Sequence, residues 1–194
     1  MSFIVAFFGS LLVNNVVLSG TKGLCSYLGV SSNKKTATGM GLALTVVSIL
    51  SGLICWGLSY LTALIGVTFM NTIIFILVIA SFVQLLEIFI KKFVPSLYKS
   101  LGIYLPLITT NCVVLGVALS VAYTGGEAVS VGTTLGTIIG TPLGYFLVIY
   151  VFSAIQERIQ NNPLVPRGFK GPAIGLICTA GMALAFLGLS GMMG

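Results

Sequence analysis

Four cysteines, at positions 25, 55, 112 and 178, carry most of the chemical potential of a chain with no His, no Asp and only three acids, Glu87, Glu127 and Glu157. That inventory is too poor in carboxylates and imidazoles for the general acid–base work of a soluble hydrolase. What remains is thiolate chemistry, above all the ligation of a soft metal.

Two of the thiols stand beside polar residues that a plain membrane helix avoids. Cys25 follows Val13-Asn14-Asn15 and then Ser19-Gly20-Thr21-Lys22-Gly23-Leu24, while Cys112 follows Pro106-Leu107-Ile108-Thr109-Thr110-Asn111. Amides and hydroxyls at membrane depth are costly unless they face protein or a cavity. A single such cluster reads as interhelical hydrogen bonding. Two of them, each next to a thiol, read as a site, because the thiols open one recurring pattern: Cys25-Ser-Tyr-Leu28-Gly29-Val30 and Cys112-Val-Val-Leu115-Gly116-Val117. If these stretches are helical, Gly29 and Gly116 share a face with their cysteines and let another backbone, or a bulky inorganic group, come close. Asn111 and Thr110 would line that group's surroundings. Cys55 and Cys178 lie in unbroken apolar runs and read as small buried hydrophobes.

The elements that must position these residues follow from composition. The chain is 57% hydrophobic and 6% charged, where a soluble domain is about a quarter charged. Apolar runs of about 20 residues cross hydrocarbon as helices, and such runs occur near 3–20, 38–60, 68–90, 101–122, 131–153 and 172–192. The expectation is an all-α integral membrane protein of six spans, a single membrane domain over 1–194. Its bases fall between the runs: Lys22, Lys34 and Lys35 in the first loop, Lys91, Lys92 and Lys99 in the third, Arg158, Arg167 and Lys170 in the fifth. The positive-inside rule then puts both termini outside the cytoplasm. Bases dispersed in this way mark topology and anionic lipid, not nucleic acid. No base precedes the first apolar run, which argues against a secretion signal. The absence of a C-x-x-C pairing argues against a disulfide framework.

Recurrence of the cysteine pattern predicts two three-helix repeats, about 1–92 and about 99–194. Three is odd, so the second copy is inverted in the membrane. Depth gives a further condition. At about 1.5 Å per residue, Cys112 lies about 16 Å into its span, whereas an unbroken first helix would carry Cys25 about 35 Å, clear through the bilayer. For the two to be level the first helix must break, and Ser19-Gly20-Thr21 with Gly23 supply the place. Broken first and fourth helices are therefore expected. By the same rise Cys55 and Cys178 sit about 25 Å and about 9 Å into their spans and cannot join one compact cluster. Gly132, Gly136, Gly140 and Gly144 form a stripe that invites close helix packing, and Pro142 interrupts the same span. Two thiols are half of the four that an iron–sulfur cluster usually takes, so the rest must come from another chain. A structural zinc is the alternative metal.

The run Leu105-Pro-Leu-Ile-Thr-Thr-Asn-Cys-Val-Val-Leu-Gly-Val-Ala-Leu119, with Gly23-Leu-Cys25, Gly39-Met-Gly41, Phe75-Ile-Leu-Val-Ile79 and Phe169-Lys-Gly171, resembles the family of membrane subunits typified by the A-type member of the Rnf complex. The likeness runs along nearly the whole chain. The family also holds the E-type member of the sodium-pumping NADH:quinone oxidoreductase. The resemblance implies a chain paired with a homologue of opposite orientation, the Rnf E type, alongside the Rnf components of the B, C, D and G types. It implies one [2Fe-2S] cluster held between the two chains, with Cys25 and Cys112 at the ligand positions. It also implies electron transfer between ferredoxin and NAD coupled to movement of Na⁺ or H⁺. Ser26-Tyr27 departs from the Pro-Phe expected in many members and bears on packing. No covalent-flavin threonine motif is found.

Two other functions compete with this one. Inverted repeats and broken helices also mark secondary transporters, yet no carboxylate falls deep in a span; Glu87 near Lys91 and Glu157 beside Arg158 read as interfacial pairs. A purely structural role in assembly would use both cysteines for packing.

Overall fold

A computed structural model of the chain describes residues 2–30, 34–66, 70–93, 107–108, 111–121, 131–161 and 172–191. These residues form seven α-helices: α1 Ser2–Phe8, α2 Leu24–Val30, α3 Lys34–Ile65, α4 Asn71–Phe93, α5 Cys112–Ser120, α6 Val131–Gln160 and α7 Pro172–Gly191. No strand occurs among the described residues. Two stretches, Thr36–Ile65 and Val131–Gln160, are long and apolar enough to cross a membrane; Phe3–Leu12, Thr72–Ile88 and Ala173–Gly188 are shorter apolar helices. Most of the expected span near 101–122 lies outside the described residues before Asn111.

The helices α3 and α6 are the frame. Positions that meet run upward along one and downward along the other. A side chain at Gly41 would strike Phe146 and Ile149, the Thr45 hydroxyl lies 3.4 Å from the Pro142 carbonyl, and a side chain at Gly52 would press on Ile138. The two helices are antiparallel. At one end Lys34 and Glu157 pair at 2.9 Å, so Glu157 is joined to Lys34 and not to its neighbour Arg158. Adjacent residues on a helix point apart, whereas the antiparallel crossing brings Lys34 onto the Glu157 face.

The first helix runs parallel to α6. Side chains at Gly136, Gly140 and Gly144 would strike the main chain of α1 and its extension at Phe3, Phe7 and Leu11 in turn. The glycine stripe is thus the seat of the first helix. Lipid tails give apolar helices no hydrophobic reason to associate, so this backbone-to-backbone approach supplies the attraction. Pro142 sits within α6, which remains helical through it.

The first helix stops well before residue 20. It widens into a π-turn at Gly9–Val13, closed by the Asn14 N–H donating to Gly9 O at 2.7 Å. Buried Asn15 then caps the end: its amide donates to Leu11 O at 3.1 Å and its carbonyl accepts from the Val17 N–H at 3.1 Å. These bonds satisfy backbone groups orphaned by the helix end. The chain turns through Thr21 (φ 51°) and Gly23 (φ 83°) before α2 begins. The break expected at Ser19–Gly23 is therefore longer, starting at Asn14.

Tyr27, Met40, Leu44, Phe75, Tyr145 and Phe152 are fully buried, while Leu64, Ile65, Leu77, Leu85 and Leu184 stand outward. A shell of large exposed aliphatics around a packed interior suits hydrocarbon and not water.

Candidate site at the meeting of two helix starts

Tyr145 stands near the middle of α6 and marks the level of the site. At Gly23 a side chain would meet Val113, Tyr145 and Asn111, so the start of α2 and the start of α5 lie together there. From this level the two short helices diverge. Along α2, Tyr27 stacks on Phe152 (ring centroids 4.1 Å apart) and Leu28 packs at Gly175 beside Gln156, which is toward the Lys34–Glu157 end. Along α5, Val117 packs at Gly52 beside Ile138, which is away from it. Two helix N-termini thus meet inside the bundle, and each carries a cysteine: Cys112 is the first residue of α5 and Cys25 the second of α2.

Sequence dictates both starts. Asn111 is extended (φ −73°, ψ 122°) and its side-chain oxygen accepts from the Val113 N–H at 3.0 Å, a standard helix cap. Gly23, with φ 83°, turns the chain into α2 in a conformation other residues resist. Its own N–H donates to Cys112 Sγ at 3.4 Å.

Ser26 ties the halves together. Its hydroxyl accepts from the Asn111 amide at 2.6 Å, donates to Gly23 O at 3.0 Å and lies 2.8 Å from the Tyr145 hydroxyl. With its proton given to Gly23, Ser26 accepts from Tyr145, and each member of this buried network has a partner. Both cysteine thiols lie within electrostatic reach of the Tyr145 phenol. Both are exposed on the isolated chain.

The other expected residues fall as follows. Gly29 has open space where a side chain would be, whereas Gly116 is covered by Lys22. Thr110, with Thr109 and Pro106, lies outside the described residues. Cys55 is buried in α3 and Cys178 packs at the edge of the core. Among the described residues no three of His, Cys, Asp and Glu gather to hold a metal. Sequence reasoning missed Ser26, Tyr145 and Lys22 as parts of the site. Ser26 was in view as a departure from the family pattern, and Lys22 lies three positions from Cys25.

Comparison with known proteins bears on this arrangement. A family model described as "Rnf-Nqr subunit, membrane protein" matches residues 3–193. The chain is 44% identical over 193 residues to the A component of the Na⁺-translocating ferredoxin:NAD⁺ oxidoreductase complex of Acetobacterium woodii, covering 99% of this chain and 98% of that one. It is 46% identical over 202 residues to the A component of the ion-translocating oxidoreductase complex of Hahella chejuensis, covering 98% and 97%. The corresponding protein of Yersinia enterocolitica is 41% identical over 191 residues, again covering 98% and 97%.

Proposed function

The chain belongs to the Rnf-Nqr family of membrane subunits, and we propose that it is the A-type component of an ion-translocating ferredoxin:NAD⁺ oxidoreductase, supplying half the ligands of an intramembrane [2Fe-2S] cluster. The other half would come from a homologous chain of inverted orientation. The observation that carries this reading is the meeting of α2 and α5, start to start, with Cys25 and Cys112 at the junction.

The residues fit such a group as a half-site. Two thiols are present where four are needed, both are exposed and so open to a second chain, and Cys112 Sγ already takes an N–H from Gly23. When bound, the cluster supplies a one-electron carrier within the membrane. The protein's part is to hold the two sulfurs in register. Asn111 caps α5, Ser26 locks that cap to the turn before α2, and Tyr145 fixes both to the long helix. Nucleotide and flavin chemistry would belong to other components of the complex.

The same directions of helices support six spans as inverted repeats: α3 and α6 occupy equivalent places in the two halves and run antiparallel, as a two-fold axis in the membrane plane requires. The charge pattern supports an inner-membrane protein with both termini extracytoplasmic. The relatives, named as A components of such complexes, favour the Rnf complex over the quinone reductase. Among the described residues Glu157 is engaged with Lys34 at a helix end, which weakens the transporter reading.

The test is the visible and EPR spectrum of the chain purified with its sister chain. The expected result is a thiolate-bound [2Fe-2S] signal, and a colourless, EPR-silent pair in both redox states would overturn the proposal.

A further inference from the structure

Counting bases along the sequence places Lys22 in a cytoplasmic loop with Lys34. In the fold it lies elsewhere. Because the first helix stops at Val13, the chain has not crossed the membrane when it reaches Lys22. The turn there is held by the Lys22 N–H donating to Val16 O at 3.0 Å. Left-handed residues at 21 and 23 flank it.

The Lys22 side chain is laid along α5. At Gly116 an added Cβ would sit 3.0 Å from Lys22 Cδ and 3.3 Å from its Nζ. Gly116 is four residues past Cys112, on the same face and about 6 Å farther along the axis. Its neighbour Val117 shares the level of Gly52 and Ile138, so the ammonium stands roughly 25 Å of helix rise from the Lys34–Glu157 end. In a hydrocarbon core about 30 Å thick, that is inside the membrane.

A cation at such depth requires an anion or water. The chain has three carboxylates. Glu157 is paired with Lys34, Glu87 belongs to α4, and Glu127 lies outside the described residues. The group that would bring negative charge to this level is the thiolate-bound cluster of the reading above.

We propose that the Lys22 ammonium, laid across Gly116 one turn from Cys112, is the counter-charge of the thiolate-bound cluster and raises its reduction potential. This rests on the cluster reading above. Lys22, like both cysteines, is exposed on the isolated chain; reduction adds one negative charge to the cluster, and a cation nearby favours that state. Gly116 has the part the sequence suggested for it, close approach, but the group it admits is a lysine stem.

The experiment is a redox titration of the cluster EPR signal, with iron analysis, in the whole purified complex carrying Lys22→Met, Lys22→Gln or Lys22→Arg. The signal is assigned by its loss in a Cys112→Ser complex. Met keeps the stem on Gly116 and removes the charge. The expected result is retained iron with a midpoint lowered by at least a tenfold change in the reduction equilibrium, about 59 mV for a one-electron couple, in Met and Gln, and a wild-type midpoint in Arg. Iron lost in Met and Gln but kept in Arg would equally support a required counter-charge. Full iron with an unmoved midpoint in Met and Gln would overturn the proposal and leave the cluster reading standing, and iron lost in all three would reduce Lys22 to packing. A wild-type complex without the signal would sink both.

Discussion

The N–H of Gly23 donates to the sulfur of Cys112 across 3.4 Å, joining segments 89 residues apart in sequence. One half of the chain thus supports the thiol of the other, and the backbone of residue 23 is as much a part of the site as its side chains.

Gly23→Ala should therefore be damaging. The new methyl would lie 2.6 Å from Val113 Cγ2 at a φ of 83°, combining overpacking, at about 1–3 kcal/mol, with a strained backbone. The complex should melt at a lower temperature and hold less iron. A variant with wild-type melting and iron would show that the turn is not constrained as described.

Ser26 is the hub of the buried network, so Ser26→Ala takes a partner from both the Asn111 amide and the Tyr145 hydroxyl and leaves them only each other. Each unsatisfied buried group costs about 1–3 kcal/mol. Tyr145→Phe leaves Asn111 still bonded to Ser26 and should cost less. In a double-mutant cycle on unfolding in detergent, the second change should add little to the first. Strict additivity would mean that Ser26 and Tyr145 do not share a bond.

Gly136→Leu should prevent α1 from seating, because even a methyl there would lie 2.8 Å from Phe3 O. At Gly181 an added Cβ meets nothing within 4 Å in this chain, so Gly181→Leu serves as the contrast. The first should fail to accumulate as folded protein while the second does; equal yields would contradict the close approach of α1 and α6.

Topology is tested by reporters. An enzyme active only in the cytoplasm should be silent when fused to Gly194 and active when inserted between residues 162 and 171. The reverse pattern would contradict the orientation assigned to the Lys34–Glu157 end.

Much of this was readable from sequence where spacing carries the physics. Four glycines at four-residue intervals announce a backbone contact whatever the partner. The need for a break before Cys25 followed from helix rise alone. The network was not readable: Tyr145 sits in an apolar span where aromatics are ordinary, and Ser26 acquires its meaning only when Asn111 arrives from the other half. In the proposal above Lys22 moves for an instructive reason. A charge count assumes that each apolar run is one helix, so a base after residue 20 seems to lie in a loop. Had the break required by Cys25 been applied to its neighbours, Lys22 would have moved inward with it.

The claim that most needs testing is that Cys25 and Cys112 hold iron. Each is replaced by Ser in the whole complex, and iron, the [2Fe-2S] signal and ferredoxin-to-NAD⁺ electron transfer are measured, with Cys55→Ala and Cys178→Ala as comparisons. Oxygen is a poorer match than thiolate for such a site, so Cys25→Ser and Cys112→Ser should lose the signal and the electron transfer while the complex assembles, and the comparison variants should keep both. A Cys112→Ser complex with full iron, an unchanged signal and normal NAD⁺ reduction would contradict the account.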